Sequence, residues 1–245
     1  MKPVQFITKS PHVESIIKSL TLTQPLFVSS IIIGEPYIGK RRLVQTLFPS
    51  AIYVDGYNLD KLKQTLETHS EIVIYNFEAI SNIDALNFEN KRIIAIANKV
   101  PHRAAIEKKF AFIYEMPSLH ERPEDVQSLI DELTESIKTD LMIQSNKKIS
   151  IEEVDLSENI KSLKASIYKK LILSTLNSSD IERILFNYFY DNMEGKNVYR
   201  DYLGLYERPL IKAGLKKFRS QLKLSSILGL NRNTLRKKIH EYNLD

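Results

Sequence analysis

The stretch SQLKLSSILGLNRNTLRKKIHEY, residues 220–242, decides the fold of the C-terminal part of this chain. Its first half predicts a short helix from Gln221 to Leu228. Three apolar residues of this helix recur at i, i+3 and i+4, which is typical of a face turned toward a core: Leu224, Ile227 and Leu228.

The second half predicts another short helix after a turn. Gly229 tolerates the positive φ of a tight turn, and Asn231 is a residue type that caps helices. The inner stripe of the second helix is Leu235, Ile239 and Tyr242, and its other face carries Arg232, Asn233, Arg236, Lys237 and Lys238. Two short helices around a glycine turn, the second basic outside, predict a helix-turn-helix whose second helix enters a DNA major groove.

The charge of the chain is concentrated at the same end. The 245 residues carry a net charge of +5, but residues 199–245 hold 11 basic and 4 acidic residues, and the rest holds 24 basic and 26 acidic. A basic end of this kind is expected where a chain meets phosphates, although basic C-terminal helices are also common.

Composition excludes several classes of protein. There are no cysteines, which excludes disulfides, thiolate metal sites and cysteine nucleophiles. The five histidines lack ligand spacing, so we expect no metal site. No apolar run approaches the roughly 20 residues that span a bilayer, and no signal-peptide pattern begins the chain. We therefore expect a cytoplasmic protein that has no membrane partner.

The N-terminal part begins with an amphipathic helix after Ser10 and a strand from Leu26 to Ile33. The string GEPYIGKR, residues 34–41, follows directly. Strand, GxxxxGK and helix form the context of a phosphate-binding loop, in which glycines let backbone N–H groups surround phosphates and the lysine adds charge. The candidate nucleotide-binding residues are Gly34, Gly39, Lys40 and Arg41. Arg41 replaces the hydroxyl residue that would hold magnesium, which leaves two readings open: a loop that still holds a nucleotide, or a structural relic of one.

Further strands alternate with helices, which favours an α/β domain with a largely parallel sheet. The predicted strands are Ala51 to Val54, Ile72 to Glu78 and Arg92 to Asn98. In working P-loop ATPases a strand such as the second often ends in Asp-Glu; here Asn76 and Phe77 stand in those places and Glu78 lies one step beyond.

The rest of the chain predicts helices. They cover residues 126–143, 158–176, 180–190 and 199–218. Tyr188-Phe-Tyr190 is either a base-stacking platform or, as we favour, core or a subunit contact. The last helix carries two apolar stripes, which favours contact with both its own domain and a partner chain, and Pro209 is expected to kink it or to start a new helix.

The C-terminal string GLNRNTLRKKI, residues 229–239, resembles the Fis-type helix-turn-helix, and residues 206–218 resemble that family's dimerisation helix. The resemblance implies a dimer that presents two recognition helices to double-stranded DNA. The candidate DNA-binding residues are Gln221, Lys223, Asn231, Arg232, Asn233, Thr234, Arg236, Lys237 and Lys238. Asn231, Arg232, Thr234 and Arg236 are expected at base edges or nearby phosphates, and the lysines at phosphates.

Four N-terminal strings resemble the AAA+ domain of NtrC-type, sigma-54-dependent activators, in the family's order. They are FITKSP (6–11), GEPYIGK (34–40), RIIAIAN (92–98) and MPSLHERPED (116–125). The departures are equally specific. The chain lacks the GAFTGA loop that engages sigma-54, its Walker B acids are replaced, and Lys109 stands near the place of the arginine finger. These losses indicate a pseudo-ATPase.

The sequence therefore predicts an AAA+-like P-loop α/β domain with a parallel sheet and a helical lid, followed by an all-α Fis-type helix-turn-helix domain. The expected boundaries are 1–125 for the degenerate AAA+-like domain, 126–191 for the lid and 198–245 for the DNA-binding and dimerisation domain. The predicted function is that of a dimeric, sequence-selective transcriptional regulator that is not an enzyme and has no catalytic residues.

Three other functions stay open. The chain could be an ATP-hydrolysing sigma-54-dependent activator, a regulator that binds ATP without turnover, or a nucleoid-type protein that bends DNA. The motifs identify no cofactor that the chain requires. ATP is the cofactor that fits the phosphate-binding loop. RNA polymerase or another regulator is a further candidate partner.

Overall fold

The computed structural model describes residues 6–100, 103–144 and 148–244. The chain divides into two compact units, Met1–Thr175 and Leu176–Asp245. This division places the helix predicted at residues 180–190 with the C-terminal unit, whereas the expected boundary put it with the lid.

The first unit is an α/β domain followed by a helical subdomain. Its described strands are β1 (Ser30–Ile33), β2 (Ile52–Asp55), β3 (Glu71–Tyr75), β4 (Arg92–Ala97) and β5 (Phe112–Glu115). Its described helices are α1 (Pro11–Leu22), α2 (Lys40–Leu47), α3 (Leu59–Thr68), α4 (Arg103–Lys109), α5 (Pro123–Leu141) and α6 (Ile160–Thr175). All strand pairs are parallel, and the sheet order is β2-β3-β4-β1-β5. The α/β prediction is confirmed.

The three inner strands β1, β3 and β4 are rich in isoleucine and are mostly buried on both faces. In β1, Ile31 and Ile33 point to a core cluster that includes residues of α3 and α4, and Ile32 points to a second cluster with α1 and α2. A parallel sheet is expected to be covered by helices on both faces in this way. The phosphate-loop string follows β1, a central strand whose neighbours are β4 and β5.

Two features of the sheet differ from the sequence prediction. β1 begins at Ser30, and Leu26 and Phe27 precede it with 52% and 62% exposure, so the predicted strand began too early. β5 and α4 were not predicted. β5 is a partly exposed edge strand, and the apolar run from Phe110 to Tyr114 is a signal that could have indicated it.

The helices α5 and α6 form the subdomain predicted as a lid. They share an apolar cluster that includes Val126, Ile130, Leu163 and Ile167, each at most 1% exposed. Pro123 occupies the first turn of α5, where its missing N–H has no helical partner to lose.

The described part of the C-terminal unit consists of four helices: α7 (Ser178–Asn192), α8 (Val198–Phe218), α9 (Gln221–Leu228) and α10 (Arg232–Glu241). Pro209 lies inside α8, which continues through it as one helix, so no new helix begins at this proline. The core of the unit is formed by Ile211, Leu224, Leu235 and Ile239 from three of these helices.

Candidate nucleic-acid interface and phosphate-loop cleft

Side-chain and backbone caps fix the geometry of α9, the turn and α10. Ser220 accepts a hydrogen bond from the Lys223 N–H at the start of α9. Gly229 ends α9 in the left-handed region with φ 64°, as the glycine pattern predicts. Asn231 Oδ1 accepts from the Asn233 N–H at 2.9 Å and caps α10. The predicted helix-turn-helix is confirmed, and the side-chain oxygen of Asn231 serves in the cap.

The inner faces of α9 and α10 meet α8. Leu235 and Ile239 are buried as predicted, and Tyr242 is partly buried. On α9 the buried residues are Leu224 and Ser225, while Ile227 is 51% exposed, so the prediction for Ile227 was wrong. At about 100° per residue, Leu224, Leu228 and Ser225 form one continuous covered arc of α9, and Ile227 lies just outside it. Leu224 lies against Gly214 of α8, where a Cβ would be 2.3 Å from Leu224 Cδ1.

The outer face of α10 is exposed and mostly basic. Asn233, Arg236 and Lys237 line one shallow groove together with His240 and Glu241. Arg232 and Thr234 are exposed in the first turn, and Gln221 and Lys223 are exposed on α9. His240 was missed by the sequence reasoning, although its spacing of three and four residues from Lys237 and Arg236 places it on the same face.

Lys238 differs from its basic neighbours. Its Nζ donates to both carboxylate oxygens of Glu207 on α8, each at 2.6 Å, and the side chain is 22% exposed. The hydroxyl of Tyr242 donates to the same carboxylate at 2.7 Å, and this bond raises the pKa of Tyr242 to about 12. Lys238 was predicted to contact phosphate, whereas its ammonium group is engaged within the unit.

The loop after β1 has the backbone of a phosphate-binding loop. A Cβ at Gly34 would lie 2.4 Å from the carbonyl oxygen of Met116, and Gly39 has φ 101°, so both positions favour glycine. Lys40 is the first residue of α2, whose leading N–H groups have no partner within the helix. The loop therefore presents donors suited to an anion.

The ammonium group of Lys40 is already hydrogen-bonded within the protein. Its Nζ donates to the carbonyl oxygens of Gly34 and Glu35, each at 2.6 Å, and to Asn98 Oδ1 at 3.1 Å. Burial lowers the pKa of Lys40 to about 8, although the carboxylates of Glu78 and Glu35 oppose the shift. A phosphate bound at this loop would replace the carbonyl oxygens as hydrogen-bond acceptors of Lys40, and its charge would make the bonds stronger.

Polar side chains follow β2, β3 and β4 at the edge where the loop lies. Asn76 Nδ2 donates to Asp55 Oδ1 at 3.0 Å, and Asn98 Nδ2 donates to Glu78 Oε1 at 2.7 Å. Glu78 follows the two positions at which working P-loop ATPases carry the Walker B acids. It is hydrogen-bonded to Asn98, which in turn accepts a hydrogen bond from Lys40. Asp55 was missed, although a polar residue at the end of a parallel strand is a signal for a site at that edge.

The cleft beside the loop has a volume of about 770 Å³, and its lining includes Lys40, Arg41, Asp55, Asn76 and Asn98. Arg41 occupies the sequence position at which the loop motif has a magnesium-binding hydroxyl residue. Its guanidinium lies 4.5 Å from the centroid of the Tyr75 ring. The donors of the loop fit a phosphate group, but a guanidinium and an amide in the metal positions do not fit magnesium.

The start of α6 is hydrogen-bonded to the phosphate loop. Asn159 Nδ2 donates to Glu35 Oε2 at 2.9 Å and to the Pro36 carbonyl at 3.2 Å, and the Ile160 N–H donates to the Tyr37 carbonyl at 3.1 Å. The subdomain predicted as a lid therefore contacts the loop directly.

Lys109, predicted near the place of an arginine finger, is engaged with its own domain. Its Nζ donates to the carbonyl oxygens of Leu86 at 2.7 Å and of Asp84 at 3.3 Å. Among the described residues, no three His, Asp or Glu side chains come together in a group that could hold a metal ion. In the same part of the chain, no helix combines the length and apolar character needed to cross a membrane.

The helix-turn-helix and the loop-bearing α/β domain define a two-part architecture, and the comparisons with known proteins agree with it. Residues 203–242 match the Fis family of bacterial regulatory proteins. The C-terminal unit therefore carries a Fis-type helix-turn-helix.

Two curated proteins are similar to part of the chain. The DNA-binding transcriptional regulator NtrC of Azospirillum brasilense is 44% identical over 71 residues, which are 27% of this chain and 15% of that protein. A Fis-like DNA-binding protein of Pseudomonas aeruginosa is 42% identical over 68 residues, which are 26% of this chain and 64% of that protein. The chain thus matches less than two thirds of the length of either relative.

A solved structure extends the similarity in fold to nearly the whole chain. NtrX of Brucella abortus in complex with ATP has a TM-score of 0.55 and 13% identity, over 97% of this chain and 69% of that one. NtrX has also been solved in complex with ADP, with a TM-score of 0.54. The chain therefore combines an α/β domain that carries a glycine-rich loop with a Fis-type helix-turn-helix, and its fold is similar to that of NtrX over nearly its whole length.

Proposed function

We propose that this chain is a sequence-selective, DNA-binding transcriptional regulator that acts as a dimer in the cytoplasm and does not couple ATP hydrolysis to activation. The observation that carries the proposal is α10, a helix with a buried apolar face and an exposed basic one, held beside α9 by a glycine turn and an asparagine cap. The matches to the Fis family and to the NtrC segment support it.

The proposed contacts divide into two sets by their place on the helices. Arg232, Thr234 and Arg236 lie where side chains can reach base edges or nearby phosphates, with Asn233 and His240 on the same exposed surface. Lys237 and Lys223 are proposed as phosphate contacts, and Gln221 as a backbone contact. Asn231 contributes through the cap, which fixes the N-terminal turn of the recognition helix.

The test is selection of genomic fragments by the purified chain at near-physiological salt. We expect a shared motif with two-fold symmetry, because a dimer presents two recognition helices. Enrichment without a motif, fading steeply with salt, would instead identify an architectural protein that reads DNA shape. No retention of DNA would refute the proposal.

Exposed apolar side chains on α7 and α8 support the dimer. None of the residues of α7 is buried, and Ile184, Phe186 and Tyr190 are 54%, 64% and 79% exposed. On α8, Tyr206 and Leu210, which belong to one of the two predicted apolar stripes, are 66% and 39% exposed. Side chains of this size exposed by half or more offer on the order of 100 Å² each, and about eight of them supply the roughly 800 Å² per partner of a stable interface.

We propose a second copy of the chain as the partner that covers exposed apolar side chains of α7 and α8, since a two-fold axis brings the same residues of both copies into one interface. Tyr206→Glu is expected to convert the dimer to a monomer in sedimentation equilibrium. The matched control is Phe27→Glu, at a side chain of the N-terminal unit with 62% exposure, which is expected to leave the dimer intact. A wild-type monomer at micromolar concentration would refute the dimer.

A second candidate function is nucleotide binding without turnover, in which a bound nucleotide biases DNA affinity or contacts with RNA polymerase or another regulator. The positively charged loop supports binding, and the guanidinium and amide in the magnesium positions oppose hydrolysis. Titration with ATP, followed by intrinsic tyrosine fluorescence, tests the binding. Magnesium-dependent ATP turnover that Lys40→Ala abolishes would instead support an ATP-driven activator.

A further inference from the structure

We propose that Glu207 is a positioning residue for the recognition helix α10, and that it withdraws Lys238 from the surface that contacts DNA. This inference rests on the proposed DNA-binding function. Glu207 lies on α8, and its carboxylate receives hydrogen bonds from the Lys238 ammonium and from the Tyr242 hydroxyl, at 2.6 and 2.7 Å.

One carboxylate thereby holds the end of α10. Lys238 and Tyr242 are separated by four residues and so lie on one face of the helix, one turn apart. The ring of Tyr242 passes close to Gly204 of α8, where a Cβ would lie 3.5 Å from Cε1. Gly204 and Glu207 are three residues apart on α8, so two neighbouring positions of that helix engage the end of the recognition helix.

These bonds add a constraint that the core alone does not impose. Leu235 and Ile239 hold α10 against the unit by apolar packing, which is largely non-directional. Hydrogen bonds have preferred angles as well as lengths, and those that a carboxylate accepts are stronger than neutral ones. The bonds to Glu207 therefore limit rotation of α10 about its own axis, which decides where the side chains on its outer face point.

The same bonds separate two adjacent lysines into two roles. Lys237 is exposed on the outer face of α10. The charge of Lys238 is largely balanced by that of Glu207, and the side chains of Lys238 and Glu207 are 22% and 17% exposed. The salt slope is the slope of the logarithm of the DNA-binding constant against the logarithm of the salt concentration. Each lysine that neutralises a phosphate steepens this slope by about 0.9, and a lysine already paired with a carboxylate does not.

The first experiment compares Lys237→Gln with Lys238→Gln in the full chain. The probes are a duplex enriched by the wild type from a random-sequence library and a scrambled duplex of equal length. Lys237→Gln is expected to make the salt slope shallower by about 1.8, about 0.9 for each of the two copies in the proposed dimer, and Lys238→Gln is expected to leave it unchanged. Equal loss of slope in both variants would overturn the inference.

The second experiment changes Glu207 itself. Glu207→Gln is expected to weaken binding to the enriched duplex about tenfold and to steepen the slope on the scrambled duplex by about 1.8, because both copies of Lys238 in the proposed dimer are released. Asp201→Asn, an equal change of charge at an exposed position of the same helix, is the control. Equal weakening on both duplexes with an unchanged slope would indicate a merely structural role and would overturn the inference.

Tyr242→Phe keeps Lys238 paired and removes one bond to Glu207. It is expected to weaken binding to the enriched duplex without any change of the salt slope. This variant replaces Glu207→Gln as the test if Glu207→Gln does not fold. Unchanged affinity in Tyr242→Phe would contradict the role of this bond in positioning.

A measurement without DNA separates this inference from the proposed function. Limited amine acetylation of the full chain, read by mass spectrometry, is expected to modify Lys238 more slowly than Lys237 in the wild type, and at a similar rate in Glu207→Gln. Equal rates in the wild type would overturn the inference whether or not the chain binds DNA. Loss of DNA binding alone, with Lys238 still protected, would refute only the proposed function.

Discussion

Two glycines of α8 allow a quantitative test of how closely the helix-turn-helix is packed. A Cβ at Gly214 would lie 2.3, 3.1 and 3.3 Å from Cδ1, Cδ2 and Cγ of Leu224, whose side chain is fully buried. A Cβ at Gly204 would meet only Tyr242 Cε1, at an ordinary 3.5 Å. Alanine therefore fits at position 204 and collides at position 214.

The expected stability of each variant follows from two opposing effects. Replacing a helical glycine by alanine stabilises the helix by about 1 kcal/mol, and this gain is common to both positions. Overpacking a core costs about 1–3 kcal/mol, and only Gly214→Ala incurs it. Gly204→Ala is thus expected to gain about 1 kcal/mol, and Gly214→Ala to fall about 1–3 kcal/mol below it. The difference between the variants cancels the contribution of helix propensity.

Hydrogen exchange of the amides in α8, α9 and α10 is a suitable assay, because it reports the opening free energy of this unit separately from the N-terminal one. A third variant isolates the contact: Gly214→Ala combined with Leu224→Val is expected to be less destabilised than the two single changes added together, since the smaller side chain makes room for the methyl group. Equal protection in Gly204→Ala and Gly214→Ala would refute the reasoning.

Three further predictions concern the cleft, the lid and the recognition helix. Phosphate binding favours charged Lys40, and its pKa in the free protein is about 8, so nucleotide affinity should be full below pH 8 and should fall above it. Calorimetry at several pH values checks this, and Lys40→Arg, which stays charged, should lose the pH dependence if it binds. Arg122 and Asp125 form an ion pair in which both side chains are 1% exposed, so Asp125→Ala should cost about 3–5 kcal/mol in urea unfolding; a loss below 1 kcal/mol would contradict it. Arg232→Ala should weaken binding to the selected duplex by about 1–3 kcal/mol if the guanidinium reads a guanine, and an unchanged affinity would remove it from the interface.

Local patterns in the sequence predicted those features that depend on neighbouring residues. The spacing of Leu235 and Ile239, the glycine at 229 and the cap at Asn231 each act within one or two turns of chain, and the structure confirms all of them. Gly39 after β1 is another local feature, because its φ of 101° favours glycine, whereas Gly34 meets the distant carbonyl oxygen of Met116.

The tertiary structure decided the features that depend on distant parts of the chain. The spacing predicted Ile227 in the core, but the packing of α9 in the unit buries Ser225 and leaves Ile227 51% exposed. The place of β5 at the edge of the sheet depends on its pairing with β1, which is distant from it in the chain.

The clearest division is between the adjacent residues Lys237 and Lys238. The sequence by itself determined that both lie on a basic helix with one apolar face. Only the tertiary structure separated them, because Glu207 lies 31 positions before Lys238 in the chain and reaches it only when α8 packs against α10. Periodicity along one helix places side chains on its faces, but the partner of a charge is set by the packing of another helix.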